Sequence, residues 1–325
     1  MSDTRTDVPE ISVVLPVYNE ADGLRTLYDR LVGVLDGFGR SYEIIFVNDG
    51  SRDGSWAGIM ALANADPRVC GVNLSRNFGH QIAITAGMDL SRGRTVVVMD
   101  SDLQDPPELI PELYAKYADG FDVAYAQRRT RDGETRFKKL TAKLFYRLIR
   151  RMTSIDIPVD TGDFRLMSRR VVDDLKRLHE HSRFVRGLVT WVGYNQAPVF
   201  YDRKPRYGGV TKYPFAKMLR FAIDGITGFS SEPLRFGSHA GLLFAMASLA
   251  LMIGFMVYKL AGGQGLVPGW TSLIVVLLFL GGVQLLAVGI LGEYIGRIYD
   301  EVKRRPLYLV RDAVNIDAPE RPPHG

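Results

Sequence analysis

Asp100 and Asp102 stand one residue apart in Met99-Asp100-Ser101-Asp102-Leu103-Gln104-Asp105-Pro106-Pro107-Glu108, directly after the apolar run Thr95-Val96-Val97-Val98. A β-branched run that stops at an acidic turn predicts a buried strand with both carboxylates at its carboxyl end, where open α/β sheets bind ligands. Two carboxylates so spaced suit a hard divalent cation, Mg²⁺ or Mn²⁺, bridging the phosphates of a substrate. Taken alone, the pair is as compatible with a solvated acidic loop ahead of a helix that Pro106-Pro107 starts. The weight comes from two further polar turns, at Asn19-Glu20 and at Asp49.

Each of those turns closes an apolar run. Ile11 to Val17 ends at Tyr18-Asn19-Glu20 and is followed by a helical repeat of Leu24, Leu27, Leu31 and Leu35. Tyr42 to Val47 ends at Asn48-Asp49-Gly50-Ser51, and Val69 to Leu74 leads through Ser75-Arg76-Asn77-Phe78-Gly79 into a helix around Ile82 to Leu90. Phe121 to Ala126 reads as a fifth strand. Strands alternating with helices in units of roughly 30 residues predict a Rossmann-like α/β domain with a mostly parallel sheet and right-handed crossovers. In such a sheet the carboxyl ends share an edge, so the three turns meet in one crevice able to hold ribose hydroxyls, a base edge and a cation. No helix opens on Gly-x-Gly-x-x-Gly and no phosphate loop of the Walker type is present. The five histidines show no metal-ligand spacing, and His179 and His181 read as surface residues of a helical region.

The 325 residues carry a formal net charge of +5 and a single cysteine, Cys70, which excludes an internal disulfide and fits a reducing compartment. Ala240 to Tyr258 and Thr271 to Gly292 are free of charge over 19 and 22 residues, each enough to cross a hydrocarbon core of about 30 Å. They predict a two-helix transmembrane hairpin. Arg235 precedes it and Arg297, Lys303, Arg304, Arg305 and Arg311 follow it, while the connecting loop has no Lys or Arg, so both termini are expected in the cytoplasm. The spans contain no ionisable residue, which argues against an ion path, and Gly281-Gly282, Gly289 and Gly292 suit helix contacts in a homo-oligomer. Ten Lys or Arg lie between Arg128 and Arg151 against only Asp132 and Glu134. Beside a membrane hairpin such a run meets anionic headgroups or a lipid phosphate rather than nucleic acid. Phe215, Met218, Leu219, Ala222, Ile223 and Ile226 share one helical face opposite Lys217, Arg220 and Asp224, as an interfacial helix would. The expected divisions are 1–212 for the sheet domain, 213–234 for the interfacial region, 235–296 for the hairpin and 297–325 for a basic tail.

Taken in order, these motifs resemble the A-type glycosyltransferases of the large inverting family that includes dolichyl-phosphate mannose synthases and bacterial polyprenyl-phosphate glucosyltransferases. The resemblance runs from Ile11 to about Val310. Val14-Leu15-Pro16-Val17-Tyr18-Asn19-Glu20 looks like the first nucleotide-binding loop, and Val47-Asn48-Asp49-Gly50-Ser51 like the second. The resemblance implies a nucleotide-facing Asp100, with Asp102 and Gln104 near the divalent ion. It also likens Asp160-Thr161-Gly162-Asp163-Phe164-Arg165 to the acceptor-side acidic motif, and Arg206-Tyr207-Gly208-Gly209-Val210-Thr211-Lys212 to a phosphate-clamping basic loop.

The expected reaction is therefore inverting transfer of a hexose from a nucleotide diphospho-sugar to a membrane polyprenyl phosphate. Pro16, Tyr18, Asn19, Glu20, Asp49, Asp100, Arg206 and Lys212 are the expected donor-binding residues, and Arg128, Arg129, Arg131 and Arg136 the acceptor-phosphate residues. Asp102 and Asp163 carry the catalytic expectation. An acceptor phosphate is already ionised near neutral pH, so Asp163 reads equally as a base, a cation ligand or half of a buried ion pair with Arg165. UDP-glucose leads as donor because Gly292-Glu293-Tyr294-Ile295-Gly296-Arg297 resembles the two-span glucosyltransferase branch. GDP-mannose, a UDP-N-acetylhexosamine and an aminoarabinose donor stay open. A processive polysaccharide synthase is disfavoured because none of the three tryptophans follows an arginine. A non-catalytic membrane scaffold is the alternative from another class.

Overall fold

The computed structural model describes residues 8–129, 161–181, 183–201 and 270–316, with isolated residues between 234 and 261. In chain order the elements are β1 (Ile11–Val17), α1 (Leu24–Phe38), β2 (Tyr42–Asn48), α2 (Ser55–Ala65), β3 (Val69–Leu74), α3 (His80–Leu90) and β4 (Thr95–Val98). A 3₁₀ turn at Pro107–Leu109 leads into α4 (Ile110–Ala118), then β5 (Val123–Arg128), β6 (Thr161–Ser168), α5 (Arg169–Lys176) and α6 (Val185–Trp191). The last elements are β7 (Gln196–Tyr201), α7 (Trp270–Val302) and β8 (Val310–Val314).

All eight strands form one sheet in the order β7-β5-β6-β4-β1-β2-β3-β8. β1 pairs in parallel with β2 and β4, β2 with β3, and β5 with β7, whereas β6 runs antiparallel between β4 and β5 and β8 antiparallel beside β3. The expected mostly parallel sheet is thus a mixed one. Its two reversed strands escape a search for apolar runs for a physical reason. In β6, Phe164 and Leu166 enter the core while Asp163 and Arg165 alternate with them onto the other face, so the run is broken by the residues that face the site.

Helices cover both faces. Leu24, Leu27, Leu31 and Leu35 of α1 are all buried and pack with Ile11, Val13, Leu15 and Val17 of β1, each leucine contributing about 2 kcal/mol by its burial. On the opposite face α3 lies so close that a Cβ on Gly87 would stand 2.2 Å from Val14 Cγ1. That approach sets the height of α3 over the sheet, and with it the position of the first α3 residues, His80 and Gln81.

The chain divides into two compact units: Met1–Arg147 with Ile155–Tyr213 and Arg305–Gly325, and Leu148–Ser154 with Pro214–Arg304. Within the second, Phe279–Val302 of α7 is long and apolar enough to cross a membrane by length and composition, the one such helix among the described residues. It overlaps the expected span 271–292 and extends beyond it. The expected span 240–258 lies largely outside the described residues, and the interfacial segment 213–234 does so apart from Leu234. Residues 310–314, which the sequence places in a basic tail, form β8.

Candidate active site

The parallel register Val17↔Asn48 and Val14↔Val98 sets the turns after β1, β2 and β4 along one sheet edge. β6 arrives from the opposite direction, and its pairing Val98↔Arg165 brings Asp163 across from Asp100. Side chains then tie the turns together. Asn19 N donates to Ser51 Oγ (3.0 Å), Arg52 N to Asn19 Oδ1 (2.9 Å), Glu20 N to Ser55 Oγ (3.0 Å), and Ser101 Oγ to the Pro16 carbonyl (2.8 Å). Asp49 receives Phe78 N on one oxygen (2.7 Å) and Gly79 N on the other (3.0 Å), two bonds that oppose the rise in its pKa that burial causes. Asn19 and Leu103 hold left-handed backbone, φ 56° and 61°, a conformation costly for a leucine and typical of sites where geometry is over-determined by surroundings. Leu103 is held because its side chain packs on the core while Asp102 Oδ1 accepts Gln104 N (3.1 Å).

At the centre stand His80, Asp100 and Asp163, each offering a ligand atom within 4.8 Å of the others. His80 Nε2 lies 3.1 Å from Asp163 Oδ2 and 3.3 Å from Asp100 Oδ1. Asp163 also receives Gln81 Nε2 (3.1 Å) and Arg186 Nε (2.8 Å), and Arg186 Nη1 donates to the Thr161 carbonyl (2.9 Å). Burial resists the Asp163 charge, yet the His80 bond and the charges of Arg186 and Arg165 hold its carboxyl well below the usual range. Asp100 is the reverse case. Burial, and then the nearby charges of Asp105, Asp163 and Asp102, push it up to about 6 against the pull of His80. Burial also disfavours the His80 imidazolium, but its bond to Asp163 and the charge of Asp100 outweigh this and raise its pKa.

A divalent cation fits this arrangement. Asp100 Oδ1 is buried with no hydrogen-bond partner among the described residues, and the two hard carboxylates with one borderline imidazole form a donor set compatible with Mn²⁺ or Mg²⁺. The cluster does not include Asp102, which stands in the same loop as Asp100 and Gln104.

Tyr18, Asn19, Glu20, Asp49, Asp100, Asp102 and Gln104 all lie on the turns of this edge, and Pro16 is the penultimate residue of β1 beside them. Asp163 joins them, and its ion-pair partner is Arg186 of α6 rather than the Arg165 that sequence suggested. Arg165 is buried, and its Nη2 donates to the Gly162 carbonyl (3.0 Å). Arg128 is the last residue of β5, two residues later than expected for that strand's end, and its buried Nε has no hydrogen-bond partner among the described residues. Arg129 N donates to the Tyr201 carbonyl (3.1 Å). Arg131, Arg136, Arg206 and Lys212 lie outside the described residues. His179 and His181 follow the end of α5, and His181 Nε2 meets the Arg305 carbonyl (2.9 Å).

His80, Gln81 and Arg186 are the site residues that sequence reasoning missed. No spacing rule links positions 80, 100 and 163, because three separate elements deliver them. The available signal was Gly79 followed at once by a polar pair at the start of a predicted helix.

Residues 12–176 match the family model "Glycosyl transferase family 2". The chain is 52% identical over 308 residues to the uncharacterized glycosyltransferase YkcC of Bacillus subtilis, covering 95% of each chain. It is 50% identical over 308 residues to the uncharacterized glycosyltransferase sll0501 of Synechocystis, covering 95% of this chain and 96% of that one. The SfII prophage-derived bactoprenol glucosyl transferase of Shigella flexneri is 42% identical over 302 residues, covering 93% and 97%. Likeness of this length takes in the GT-A-like sheet, its carboxylate edge and the long apolar helix together, which sets aside a non-catalytic scaffold: the chain belongs to glycosyl transferase family 2 and is a glycosyltransferase.

Proposed function

We propose that this glycosyltransferase moves glucose from UDP-glucose to a polyprenyl phosphate, undecaprenyl phosphate in a bacterium, with inversion at the anomeric carbon. The observation that carries the reading is the 42% identity, over 93% of the chain, to an enzyme named as a bactoprenol glucosyl transferase. A phosphate oxygen of the lipid attacks the anomeric carbon as the bond to UDP breaks, and the electron pair leaves with the nucleotide. No proton has to move, which suits a site whose carboxylate Asp163 is locked in its ionised form by Arg186 and His80.

Pro16, Tyr18, Asn19, Glu20, Asp49 and Asp100 are assigned to the nucleotide and sugar, with Arg206 and Lys212 on the phosphates. Asp102 and Gln104 are assigned to the cation, with His80, Asp100 and Asp163 as the donor cluster beside them. A cation held there would supply charge neutralisation to the leaving diphosphate. Arg128, Arg129, Arg131 and Arg136 are assigned to the lipid phosphate. In this reading the sheet domain and both termini face the cytoplasm, a hairpin over 235–296 anchors them, and glycines of α7 serve a homo-oligomer.

The test is transfer of radiolabel from a panel of UDP- and GDP-sugars into organic-extractable polyprenyl phosphate by the purified full-length protein, with and without EDTA. Label from UDP-glucose alone, abolished by EDTA and restored by Mn²⁺ or Mg²⁺, is the expected result. Label from GDP-mannose, a UDP-N-acetylhexosamine or an aminoarabinose donor instead would replace the sugar assignment, and EDTA-insensitive transfer would remove the cation from the reaction.

A further inference from the structure

The residues after α7 do not trail away from the sheet domain. β8 pairs with β3 in the register Gly71↔Val314, Val72↔Ala313 and Asn73↔Asp312, with a bulge before Leu74↔Val310. Beyond the ladder, Ser75 N donates to the Leu309 carbonyl (2.8 Å) and Arg311 donates to the Ser75 carbonyl. Asn315, in left-handed backbone at φ 55°, donates its amide to the Ala63 (2.7 Å) and Val69 (3.0 Å) carbonyls and closes the strand.

Two side-chain paths lead from this strand to the site. In the first, Asp312 Oδ2 accepts Asn73 Nδ2 (2.9 Å), and Asn73 Oδ1 accepts Asn48 Nδ2 (2.8 Å) in the buried sheet. Asn48 is followed by Asp49, whose two oxygens hold Phe78 N and Gly79 N, and Gly79 is followed by His80. The loops on this path are in backbone contact: a Cβ on Gly50 would stand 2.5 Å from Arg76 C and Asn77 N. In the second path, Tyr308 OH donates to Asp89 Oδ2 (3.1 Å) near the far end of α3. The helix that presents His80 and Gln81 is therefore held at its start by Asp49 and near its end by Tyr308.

We propose that the segment Tyr308 to Asn315 is a strut for the site, in which Asp312 and Tyr308 are positioning residues that fix the Ser75–Gly79 loop and the first turn of α3. Neither residue touches the cluster; each acts through the elements that carry it. The structural claim stands on these bonds alone, while its kinetic consequence rests on the donor-side assignment made above.

Hydrogen exchange on the full-length protein in detergent tests it, comparing Asp312→Ala, Asp312→Asn and Tyr308→Phe. In Asp312→Ala the amides of residues 76–82 are expected to exchange about tenfold faster while those of β1 and β5 keep their protection. Asp312→Asn keeps an acceptor oxygen for Asn73 and is expected to behave as the parent. Tyr308→Phe is expected to speed exchange in α3 alone. If Asp312→Ala changes only residues 69–75 and 310–315, or loosens every strand alike, the strut is overturned. In the same preparations the KM for UDP-glucose is expected to rise about 3- to 10-fold in Asp312→Ala, with the KM for polyprenyl phosphate unchanged. Faster exchange at 76–82 with an unchanged donor KM would uphold the strut and defeat the donor assignment of these loops.

Discussion

Asp100 carries the conflict on which the site is built. Its side chain is 31% exposed, its Oδ1 lacks a hydrogen bond among the described residues, and its pKa sits at about 6 because burial and three neighbouring carboxylates oppose its charge. A folded-state pKa above the unfolded value means that the protonated form favours folding. Its contribution is therefore present below the unfolded pKa and is lost as pH rises through about 6. Asp100→Asn is accordingly expected to stabilise the cation-free protein at pH 7 by about 1–2 kcal/mol, after allowing for partial exposure. Saturating Mn²⁺ stabilises whatever binds it by mass action, and the variant is expected to lose that gain. Thermal denaturation with EDTA and with Mn²⁺ checks both halves; a variant less stable than the parent in EDTA would refute the account.

At the scale of elements, α3 is the part whose placement matters most, since it delivers His80 and Gln81 to carboxylates in the turn after β4 and on β6. Its close approach to β1 depends on Gly87. Adding a methyl there gains up to about 1 kcal/mol of helix propensity, but the new atom would meet Val14 Cγ1 at 2.2 Å and Val47 Cγ2 at 3.1 Å. Overpacking of a buried contact costs about 1–3 kcal/mol, so the clash wins. Gly87→Ala is expected to lower stability by about 1–2 kcal/mol and to weaken Mn²⁺ stabilisation as α3 lifts, read by the same denaturation series. α1 offers the contrast: its four leucines share one buried core with β1, and the periodicity of the sequence was enough to place them.

For the whole molecule, the exposed apolar face of α7 bears on the proposed membrane anchor. Leu285 and Val288 are 74% and 63% exposed, and none of the described residues covers the apolar window of the helix. An arginine near the centre of a spanning helix costs about 3 kcal/mol of insertion free energy. The double variant Leu285→Arg, Val288→Arg is expected to shift the protein out of the carbonate-resistant membrane fraction, whereas Leu285→Ala, Val288→Ala is expected to stay in it. Retention of the arginine variant would mean that α7 does not span.

Strands ending in polar turns, the leucine stripe of α1, the long apolar segment of α7 and the acidic loop at Asp100 were all legible in the sequence, because each is a local pattern whose period or composition records its surroundings. The family motifs extended that reading to Asp163. Only the tertiary structure decided that β6 and β8 run against the other strands, that Asp163 pairs with Arg186, and that His80 completes a cluster with Asp100. These are meetings of residues far apart in the chain. They depend on strand direction and on how closely α3 approaches the sheet, and no local window contains either.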